Sequence, residues 1–566
     1  MKQQLEQALQ QSVDMLLGES GISESVEVQL TRTKQKEHGD YAANVAMPLA
    51  KTLKMAPHAI AVKILATVQW PEAVEGADIA GPGFINIRLR KAAEAKILKA
   101  IVQAGSAYGM AEPKHIKVNV EFVSANPTGP MHVGHGRGAV IGDALSRVLQ
   151  ASGFDVTREY YINDAGNQIG VLAESVWLRM RELQGEKVTI PERCYPGDYI
   201  IEIARDLLQE GDDVELLAMS DEARLQWVGS RAVAANMQMI RNDLAQLGIA
   251  FDVFFSEKQL HDSGRVQSLI EKLKTDGLVY FGTLPPPKGK EIEDYQAASQ
   301  WLFRTTQFGD DVDRPLAKQD GTATYFAADI AYHEDKALRK FERMIDVWGA
   351  DHGGYVTRVQ SAVKALTGKD QQPEVVLVQM VNLTRNGQPV RMSKRAGTFV
   401  TLEEVVSEVG ADAVRFNFLT RRAESQLDFD LETAKQKNDE NPVYYVQYAH
   451  ARISNMIDKA AAEGLTLGEV DAVDLSHLTS DKESELTAKL MAYPETIEKA
   501  AERCEPYRVA IYLMELAAVF HRFYHDHRVI GDDVALSKAR LMLVTATRQV
   551  LANGLQLLGV STPERM

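Results

Sequence analysis

The segment 124–138, SANPTGPMHVGHGRG, constrains the fold of this chain more than any other stretch. An apolar run, VNVEFV, precedes it, a helix-like stretch, AVIGDALSRVLQASG, follows it, and a strand-like segment, FDVTREYYIN, comes next. Residues 116–162 therefore predict a βαβ unit, the building block of a parallel sheet. The turn between the first strand and the helix carries His132 and His135. Because ligands bind where strands of open α/β sheets end, this turn predicts a functional site.

Two kinds of chemistry fit the turn poorly. Zinc binding would require the glutamate of an HExxH pattern, a nearby cysteine or an evident third ligand, and none is present in the sequence. Dinucleotide binding matches the pattern GxGxxA through Gly134, Gly136 and Ala139. However, ten residues separate the predicted strand from Gly134, and Pro127 and Pro130 would spoil a short phosphate turn.

Nucleotide-phosphate chemistry fits the turn better. A helix N-terminus offers backbone N–H groups and the positive end of a dipole to a triphosphate. His132 and His135 can donate hydrogen bonds to phosphate oxygens whose charge rises during reaction. Gly134 and Gly136 leave no side chain between the backbone and an adenine ring. The alternative at this point is a helix cap whose histidines are incidental.

A second segment, RMSKRAG at 391–397, strengthens the nucleotide interpretation. It follows a predicted strand, EVVLVQMVNLT, and the hairpin sequence RNGQ, in which Asn386-Gly387 indicates a tight turn. A glycine-ended loop with Lys394 and Arg395 could close over a triphosphate and neutralise the departing pyrophosphate. The tripeptide MSK means little alone and gains weight from the HVGH turn before it.

Composition bounds the class of protein. The chain has 566 residues, of which 45% are hydrophobic and 25% charged, as expected for a globular protein of several domains. Its two cysteines, Cys194 and Cys504, are far apart, which argues against a disulfide framework or a cysteine zinc site and favours a reducing cytosol. No apolar stretch is long enough to span a bilayer, and the N-terminus lacks the apolar core of a signal peptide.

The net charge of −15 argues against a general nucleic-acid binder, whose surface is usually basic. The acidic excess is concentrated in the middle of the chain. A local basic face at either end remains compatible with the total, so charge alone does not exclude RNA.

The pattern of elements predicts an α/β multidomain protein in three parts. Residues 1–110 are an α+β module, and residues 111–410 are a Rossmann-type parallel-sheet domain with a helical insertion at about 172–275. Residues 411–566 show apolar spacing of three and four, which predicts an all-α bundle.

MHVGH and RMSK resemble the two signature motifs of class I aminoacyl-tRNA synthetases. Longer strings resemble the bacterial arginyl-tRNA synthetases: VEFVSANPTGPMHVGHGRG, REYYINDAGNQI, WGADHGGY, VRMSKRAGTFVTLEEVV and ALSKARLMLVTATRQVLANGLQLLGVSTPERM. The resemblance runs from GDYAANVAM at 39–47 to the last residue. One departure is Arg391, which stands where the class pattern has lysine; Lys394 keeps the second lysine.

The resemblance implies ATP-dependent activation of L-arginine to arginyl-adenylate and transfer to the 3′ end of tRNA(Arg), with release of AMP and pyrophosphate. It implies a cytoplasmic monomer that uses ATP with Mg²⁺ and holds no structural metal, an N-terminal module that contacts tRNA and a C-terminal anticodon-binding domain. The implied catalytic residues are His132, His135 and Lys394. The implied ATP-binding residues are Gly134, Gly136, Asp351, His352, Met392 and Ser393.

The implied arginine-binding residues are Glu121, Asn126, Tyr325 and Asp329. Chemistry supports this set, since a guanidinium presents a fork of donors that matches carboxylates. Tyr325 and Asp329 are four residues apart, hence on one face of a helix. Asp351 and His352 follow a predicted strand, where sheets of this type bind ligands.

For tRNA, the segment HRFYHDHRV at 521–529 combines arginines and aromatic rings that can stack on anticodon bases. The implied contacts are Asn86, Tyr444, Tyr448, Arg522 and Arg528, with Asn86 matching a position proposed to read a D-loop base. The alternative for the tyrosines is that they fill a helical core.

Two other classes of function remain open at this stage. A smaller-molecule nucleotidyltransferase could share the HxGH turn but would not need the C-terminal bundle. A catalytically inactive RNA-binding relative should have lost His132, His135 or Lys394, and the sequence retains all three.

Overall fold

The computed structural model describes residues 1–23, 25–33, 36–210, 213–284, 299–368, 373–390 and 400–566. The chain forms two compact units. The first comprises Met1–Tyr108, Asn455–Ala492 and Val519–Val550, and the second comprises Gly109–Ser454, Tyr493–Ala518 and Leu551–Met566.

The amino-terminal part of the first unit is an α+β module. Its helices are α1 (Lys2–Glu19), α2 (Ala46–Leu53), α3 (Pro57–Thr67) and α4 (Lys91–Ala104), and its strands are β1 (Leu30–Arg32), β2 (Tyr41–Ala43), β3 (Val74–Ala80) and β4 (Phe84–Leu89). The strands pair antiparallel in the order β1-β2-β4-β3. Leu5, Leu9, Val13 and Leu16 recur at helical spacing along α1, and this apolar stripe is buried in one core with Ile85 of β4.

The second unit contains the remaining strands. They are β5 (Lys117–Glu121), β6 (Asp155–Ile162), β7 (Val253–Ser256), β8 (Val279–Gly282), β9 (Gln300–Phe303), β10 (Arg314–Ala317), β11 (Arg343–Gly349), β12 (Glu374–Val378), β13 (Val381–Arg385), β14 (Gln388–Pro389) and β15 (Leu427–Asp430). Five of them form a fully parallel sheet in the order β12-β11-β5-β6-β7. The predicted Rossmann-type sheet and its βαβ unit are thereby confirmed.

Helices follow in chain order through both units. They are α5 (Val133–Ala151), α6 (Asn167–Leu183), α7 (Asp198–Glu210), α8 (Asp213–Ala218), α9 (Asp221–Gln246), α10 (Glu257–Asp262), α11 (Arg265–Thr275), α12 (Tyr325–Leu338), α13 (Val356–Thr367), α14 (Leu402–Val409), α15 (Ala411–Phe418), α16 (Leu431–Lys435), α17 (Pro442–Ala462), α18 (Asp481–Met491), α19 (Tyr493–Glu502), α20 (Tyr507–Asp526) and α21 (Val534–Leu557). The predicted helical C-terminus is confirmed, with the short strand β15 as an addition.

The helical insertion is shorter than the sequence predicts. Helices α6, α7 and α9 share a core that includes Val176, Ile203 and Val228. After α9 the chain returns to the parallel sheet as β7, whose Phe254 pairs with Tyr160 of β6. Strand β7 has only four residues. This is too short for an alternation of apolar and polar residues to identify it as a strand from the sequence.

The segment predicted as one strand, EVVLVQMVNLT, is two strands of different sheets. Strand β12 belongs to the parallel sheet, while β13 pairs antiparallel with β14 and parallel with β15. The turn from β13 to β14 has positive φ at both Asn386 (52°) and Gly387 (73°), as the Asn-Gly sequence predicts.

Helix α5 packs so closely on the sheet that Gly142 is required for space. A Cβ atom there would lie 2.5 Å from Cβ of Phe122 and would also overlap its ring. We expect Gly142→Ala to lower the free energy of unfolding by about 1–3 kcal/mol, the usual cost of overpacking a core. Chemical denaturation would measure the change.

Gly138 of the same helix provides the control, because a Cβ atom there would meet no heavy atom within 4 Å. Gly138→Ala should therefore stabilise the protein by about 0.5–1 kcal/mol, the helix-propensity difference between the residues. Equal stability of the two variants would contradict the packing argument.

Candidate active site

The loop from β5 to α5 begins with strained backbone. Val123 and Ser124 have φ of 68° and 41°, in the left-handed region that β-branched residues rarely adopt. Ser124 is nevertheless well held, since its hydroxyl donates to Glu121 (2.9 Å) and accepts from the Tyr161 amide (3.1 Å). The Tyr160 hydroxyl of β6 donates to the Ala125 carbonyl at 2.8 Å. Strain that the surroundings fix in this way is typical of functional sites.

His132 and His135 both cap helix α5. The Nδ1 atom of His132 accepts from the amides of Gly134 (3.1 Å) and His135 (3.3 Å), and Nδ1 of His135 accepts from the His132 amide (3.4 Å). The two rings stack with centroids 3.6 Å apart. A nitrogen that accepts carries no proton, so each neutral ring is protonated on Nε2. Both histidines thus have Nε2–H as a donor.

The two glycines of the HVGH turn have different surroundings. A Cβ at Gly134 would lie 3.0 Å from the His132 ring, so this glycine makes room for the capping histidine. A Cβ at Gly136 would lie 2.5 Å from Cδ1 of Leu402, the first residue of α14. The space at Gly136 is therefore filled by protein, which gives a packing reason for this glycine where the sequence suggested room for adenine.

Arg137 of the same motif is completely buried and donates to three carbonyls. Its guanidinium contacts the oxygens of Gln379 (2.8 Å), Ser425 (2.8 Å) and Arg422 (2.9 Å). Burial lowers the pKa of Arg137 to about 10. Because Gln379 directly follows β12, this arginine fixes the break between β12 and β13 beside α5.

The predicted residues of the second motif, Met392, Ser393 and Lys394, together with Arg391, lie outside the described residues. The chain that follows them contacts the first motif. Thr401 pairs with His132 in an antiparallel bridge, and the Leu402 amide donates to the Met131 carbonyl at 2.8 Å. Thr401 also caps α14 in a capping box with Glu404. The segment after the second motif is thus anchored at the histidine turn.

Three acidic side chains, Glu121, Glu257 and Asp329, form a cluster at the ends of β5 and β7, which we call the acidic pocket. Glu121 is the last residue of β5 and is buried, and Glu257 follows β7 directly and is also buried. Asp329, on α12, is half-buried and accepts a hydrogen bond from the Tyr355 hydroxyl. Acids gathered in this way provide a site for a cationic ligand.

Burial and mutual repulsion raise the pKa values of Asp329 and Glu257. Burial raises the pKa of Asp329 to about 6, with the charge of Glu121 adding to it and the Tyr355 hydroxyl opposing it. Burial likewise raises the pKa of Glu257 to about 7, and the charges of Asp329 and Asp164 add to it. Groups perturbed in this way concentrate at functional sites.

Sequence reasoning missed Glu257. Glu257 directly follows a strand, which is the feature that points to Asp351 as a ligand residue. The sequence does not reveal this feature, because it predicts that residues 253–256 belong to the helical insertion.

Lys336 holds Glu121 of the acidic pocket in place, and the sequence does not predict this role. It is completely buried on α12 and donates to Glu121 (2.6 Å) and Asp346 (2.7 Å). Burial disfavours its ammonium, but the two carboxylates outweigh burial and raise its pKa. Asp346 also contacts Nε2 of His333, whose Nδ1 faces the Asp329 carbonyl at 2.8 Å. The network connects the backbone of Asp329 to the carboxylate of Glu121.

The other predicted ligand residues are more exposed. Tyr325 begins α12 and is 60% exposed, one turn from Asp329 on the same face. Asn126 is exposed in the loop before α5. Asp351 and His352 are exposed in a short 3₁₀ turn that follows β11, as the sequence predicts, with His352 Nε2 3.6 Å from the Asp351 carboxylate.

The predicted tRNA contacts lie in both units. In the second unit, Tyr444 and Tyr448 are half-buried, and their rings stack with centroids 5.8 Å apart. In the first unit, Asn86 of β4 is buried, and Arg522 and Arg528 are exposed. Arg522 forms an ion pair with Glu485 at 2.7 Å.

Two features are absent from the described residues. Their helices include none with the length and apolar character of a membrane span. The same residues contain no group of three or more His, Cys, Asp or Glu side chains placed to hold a metal ion.

Comparison with known families identifies the chain. Residues 96–457, which hold the histidine turn and the acidic pocket, match the model described as "tRNA synthetases class I (R), catalytic domain", so the protein is a class I aminoacyl-tRNA synthetase. Residues 1–89 match the "Arginyl tRNA synthetase N terminal domain" and residues 446–566 the "DALR anticodon binding domain". The chain therefore belongs to the arginyl-tRNA synthetase family, and it is an arginine–tRNA ligase.

Individual relatives agree with this assignment. The chain is 49% identical to the arginine–tRNA ligase of Magnetococcus marinus over the full length of both proteins. It is 50% identical to that of Azorhizobium caulinodans, over 97% of this chain and 96% of the relative. Among solved structures it is similar to the Thermus thermophilus arginyl-tRNA synthetase, with a TM-score of 0.76, 25% identity and complete coverage of both chains.

Proposed function

We propose that the acidic pocket and the histidine turn together form the site at which arginine is activated and transferred to tRNA(Arg). In the first step an oxygen of the arginine carboxylate attacks the α-phosphorus of ATP and pyrophosphate leaves. In the second step a ribose hydroxyl at the 3′ end of tRNA(Arg) attacks the carbonyl carbon of the adenylate, and AMP leaves. The observation that carries the proposal is the acidic pocket, which fits a cationic amino acid next to a helix N-terminus suited to phosphate.

Asp329 and Glu121 hold the guanidinium in this proposal, and Tyr325 covers it from the start of α12. Glu257 adds a third carboxylate. Asn126 orients the amino-acid backbone, because it is exposed in the loop between the pocket and His132. A site built from several fixed carboxylates rejects uncharged amino acids, whose entry would leave buried charges unpaired.

His132 and His135 act on ATP through their Nε2–H donors. Their rings are held by the helix cap, so they can stabilise charge that develops on the α-phosphate without reorganising. Gly134 and Gly136 belong to the turn that faces ATP, where Gly134 makes room for the His132 ring and Gly136 makes room for Leu402. Asp351 and His352 line the nucleotide pocket beyond β11. Met392, Ser393 and Lys394 contribute to ATP binding, with Lys394 neutralising the departing pyrophosphate. ATP enters with Mg²⁺ carried on its phosphates, the usual habit of this ion.

In this proposal the tRNA is bound by the two ends of the chain, residues 1–110 and the helical residues 411–566, while the Rossmann-type residues 111–410 hold the reacting substrates. Arg522 and Arg528 are exposed cations suited to phosphate contacts. Tyr444 and Tyr448 form a stacked pair on which an anticodon base can extend the stack. Asn86 contributes to the D-loop contact. The protein works as a monomer in the cytoplasm.

The experiment that tests the proposal is arginine-dependent exchange between ATP and pyrophosphate, measured with and without tRNA(Arg). We expect exchange with arginine and a strong dependence on the tRNA, with lysine and citrulline as inactive controls. Citrulline keeps the shape of arginine but lacks its charge. Comparable exchange with citrulline would contradict the role of the acidic pocket.

Arginine binding should weaken as the pH falls from about 8 to about 5.5. Asp329 and Glu257, with pKa values of about 6 and 7, are charged above those values and become neutral as the pH falls through them. Their neutral forms cannot pair with a guanidinium. Isothermal calorimetry should therefore show a dissociation constant for arginine that rises below about pH 7, with proton release on binding.

The groups around Asp329 and Glu257 differ, so a variant of one carboxyl provides a control for this pH dependence. Asp329 faces Glu121, Tyr355 and His333, while Glu257 faces Tyr161 and Asp329. Glu257→Gln removes the upper titration and should move the loss of affinity to lower pH. A dissociation constant that stayed flat down to pH 5 would show that neither carboxyl binds the substrate.

A further inference from the structure

The loop between β5 and α5 is held by side chains of the helical insertion. The Tyr199 hydroxyl, on α7, donates to the Thr128 carbonyl at 2.6 Å. The Asn236 amide, on α9, donates to the Pro127 carbonyl at 2.9 Å, and Asn236 is completely buried. Two adjacent carbonyls of the loop thus bond to helices that lie about 70 and 109 residues later in the sequence.

The ring of Tyr199 is also enclosed sterically. A Cβ at Gly129, the next residue of the loop, would lie 2.9 Å from the Tyr199 hydroxyl oxygen and 3.0 Å from Cζ. A Cβ at Gly197, in the insertion, would lie 2.6 Å from Cδ1 of the same ring. The tyrosine therefore fits between a glycine of the loop and a glycine of the insertion, and both glycines have a packing reason.

A third residue of the insertion faces the loop two helical turns beyond Asn236. Asp243 is buried on α9, and its carboxyl faces the Met131 amide, directly before the first histidine of the turn. Residues seven apart lie on the same side of a helix. One face of α9 thus follows the loop from Pro127 to Met131.

We propose that Tyr199 and Asn236 form an insertion clamp, a pair of positioning residues that hold the loop so that His132 and His135 are aimed at the α-phosphate. The inference rests on the proposed function, because that function assigns the histidines their role. Two physical reasons support it. The loop starts with strained backbone, which persists only where its surroundings fix it. Misplacing a reacting geometry by about 1 Å costs about 10²-fold in rate, so loop position controls turnover.

The sharpest test is Tyr199→Phe, which removes one hydroxyl and leaves the ring between its glycines. We expect kcat for arginine-dependent ATP–pyrophosphate exchange, with tRNA(Arg) present, to fall about three- to tenfold, the rate equivalent of one lost hydrogen bond. The KM values for arginine and ATP should change less than twofold, since the clamp contacts neither ligand. Asn236→Ala should lower kcat further, because it also leaves a buried carbonyl unpaired.

Ser175→Ala is the matched control. The Ser175 hydroxyl donates to the Val171 carbonyl (2.6 Å) and accepts from the Tyr195 amide (3.0 Å), so both bonds stay within the insertion. This variant also loses one buried hydroxyl and should lose a similar amount of thermal stability. Its kcat should remain at the wild-type value.

The outcomes separate the clamp from the proposed function. If Tyr199→Phe reduces kcat no more than Ser175→Ala at equal loss of stability, the tyrosine is merely structural and the clamp is overturned. His135→Ala is measured in parallel. A large loss in His135→Ala without a loss in Tyr199→Phe refutes the clamp alone, whereas wild-type kcat in His135→Ala refutes the histidine role and the clamp with it.

Discussion

Asp329→Asn should weaken arginine binding by roughly two to three orders of magnitude while leaving ATP binding intact. The change keeps the size of the side chain but removes its charge and one of the two oxygens that a guanidinium can pair with. Removing one partner of a buried ion pair typically costs about 3–5 kcal/mol, and tenfold in affinity corresponds to about 1.4 kcal/mol. The measurement is the arginine dissociation constant by calorimetry, together with KM in the exchange assay.

Asp335→Asn is the matched control for this prediction. Asp335 lies on the same helix but pairs with Arg265 and Arg339, away from the pocket acids. It should cost stability without changing arginine affinity. If the Asp329→Asn enzyme kept nearly normal affinity for arginine, Glu121 or Glu257 would have to carry the guanidinium contact.

The elements that position this pocket are largely readable from the sequence because their signals are local. The alternation of apolar residues and the glycine-rich turn predict the βαβ unit at 116–162, and the structure confirms it. The i, i+4 spacing of Tyr325 and Asp329 predicts one helical face, and α12 begins at Tyr325. The Asn386-Gly387 turn is predicted by two residues that tolerate positive φ.

The supporting residues are not readable in the same way. Lys336 contacts Glu121, which lies 215 residues earlier in the sequence. No local feature of the sequence distinguishes Lys336 from a lysine on the surface. Asn236 and Tyr199 contact the loop only because of how the insertion packs. Such contacts depend on tertiary geometry, which a single sequence does not display.

At Gly136 the sequence correctly indicates a close approach to the backbone, but it does not show which group approaches. The sequence suggested room for a nucleotide, while the structure fills that room with Leu402. Glycine signals a close approach, but the approaching group must be found in three dimensions. Gly129 is a second close approach, in this case to the ring of Tyr199.

His132→Asn should separate the structural role of the first histidine from its catalytic role. Asparagine is among the best N-cap residues, so its side chain can accept from the amides that His132 Nδ1 now accepts from, and stability should change by less than about 1 kcal/mol. The substitution removes the Nε2–H donor. We expect kcat for arginine activation to fall by roughly 10²- to 10³-fold, the usual cost of losing one donor aimed at developing charge.

The measurement is single-turnover formation of arginyl-adenylate in the presence of tRNA(Arg), alongside thermal unfolding of the same samples. His132→Ala is the comparison, since it removes both the cap and the donor and should lose about 0.5–2 kcal/mol of stability in addition to its rate. The two variants should therefore have similar rates and different stabilities.

Lys394→Ala, in the second motif, should show a rate loss of the same size with no effect on the α5 cap. If His132→Asn retained the wild-type rate and merely bound ATP less tightly, the Nε2–H group would be a ground-state ligand of the nucleotide and the assignment to the transition state would be wrong, because only interactions that strengthen in the transition state raise kcat.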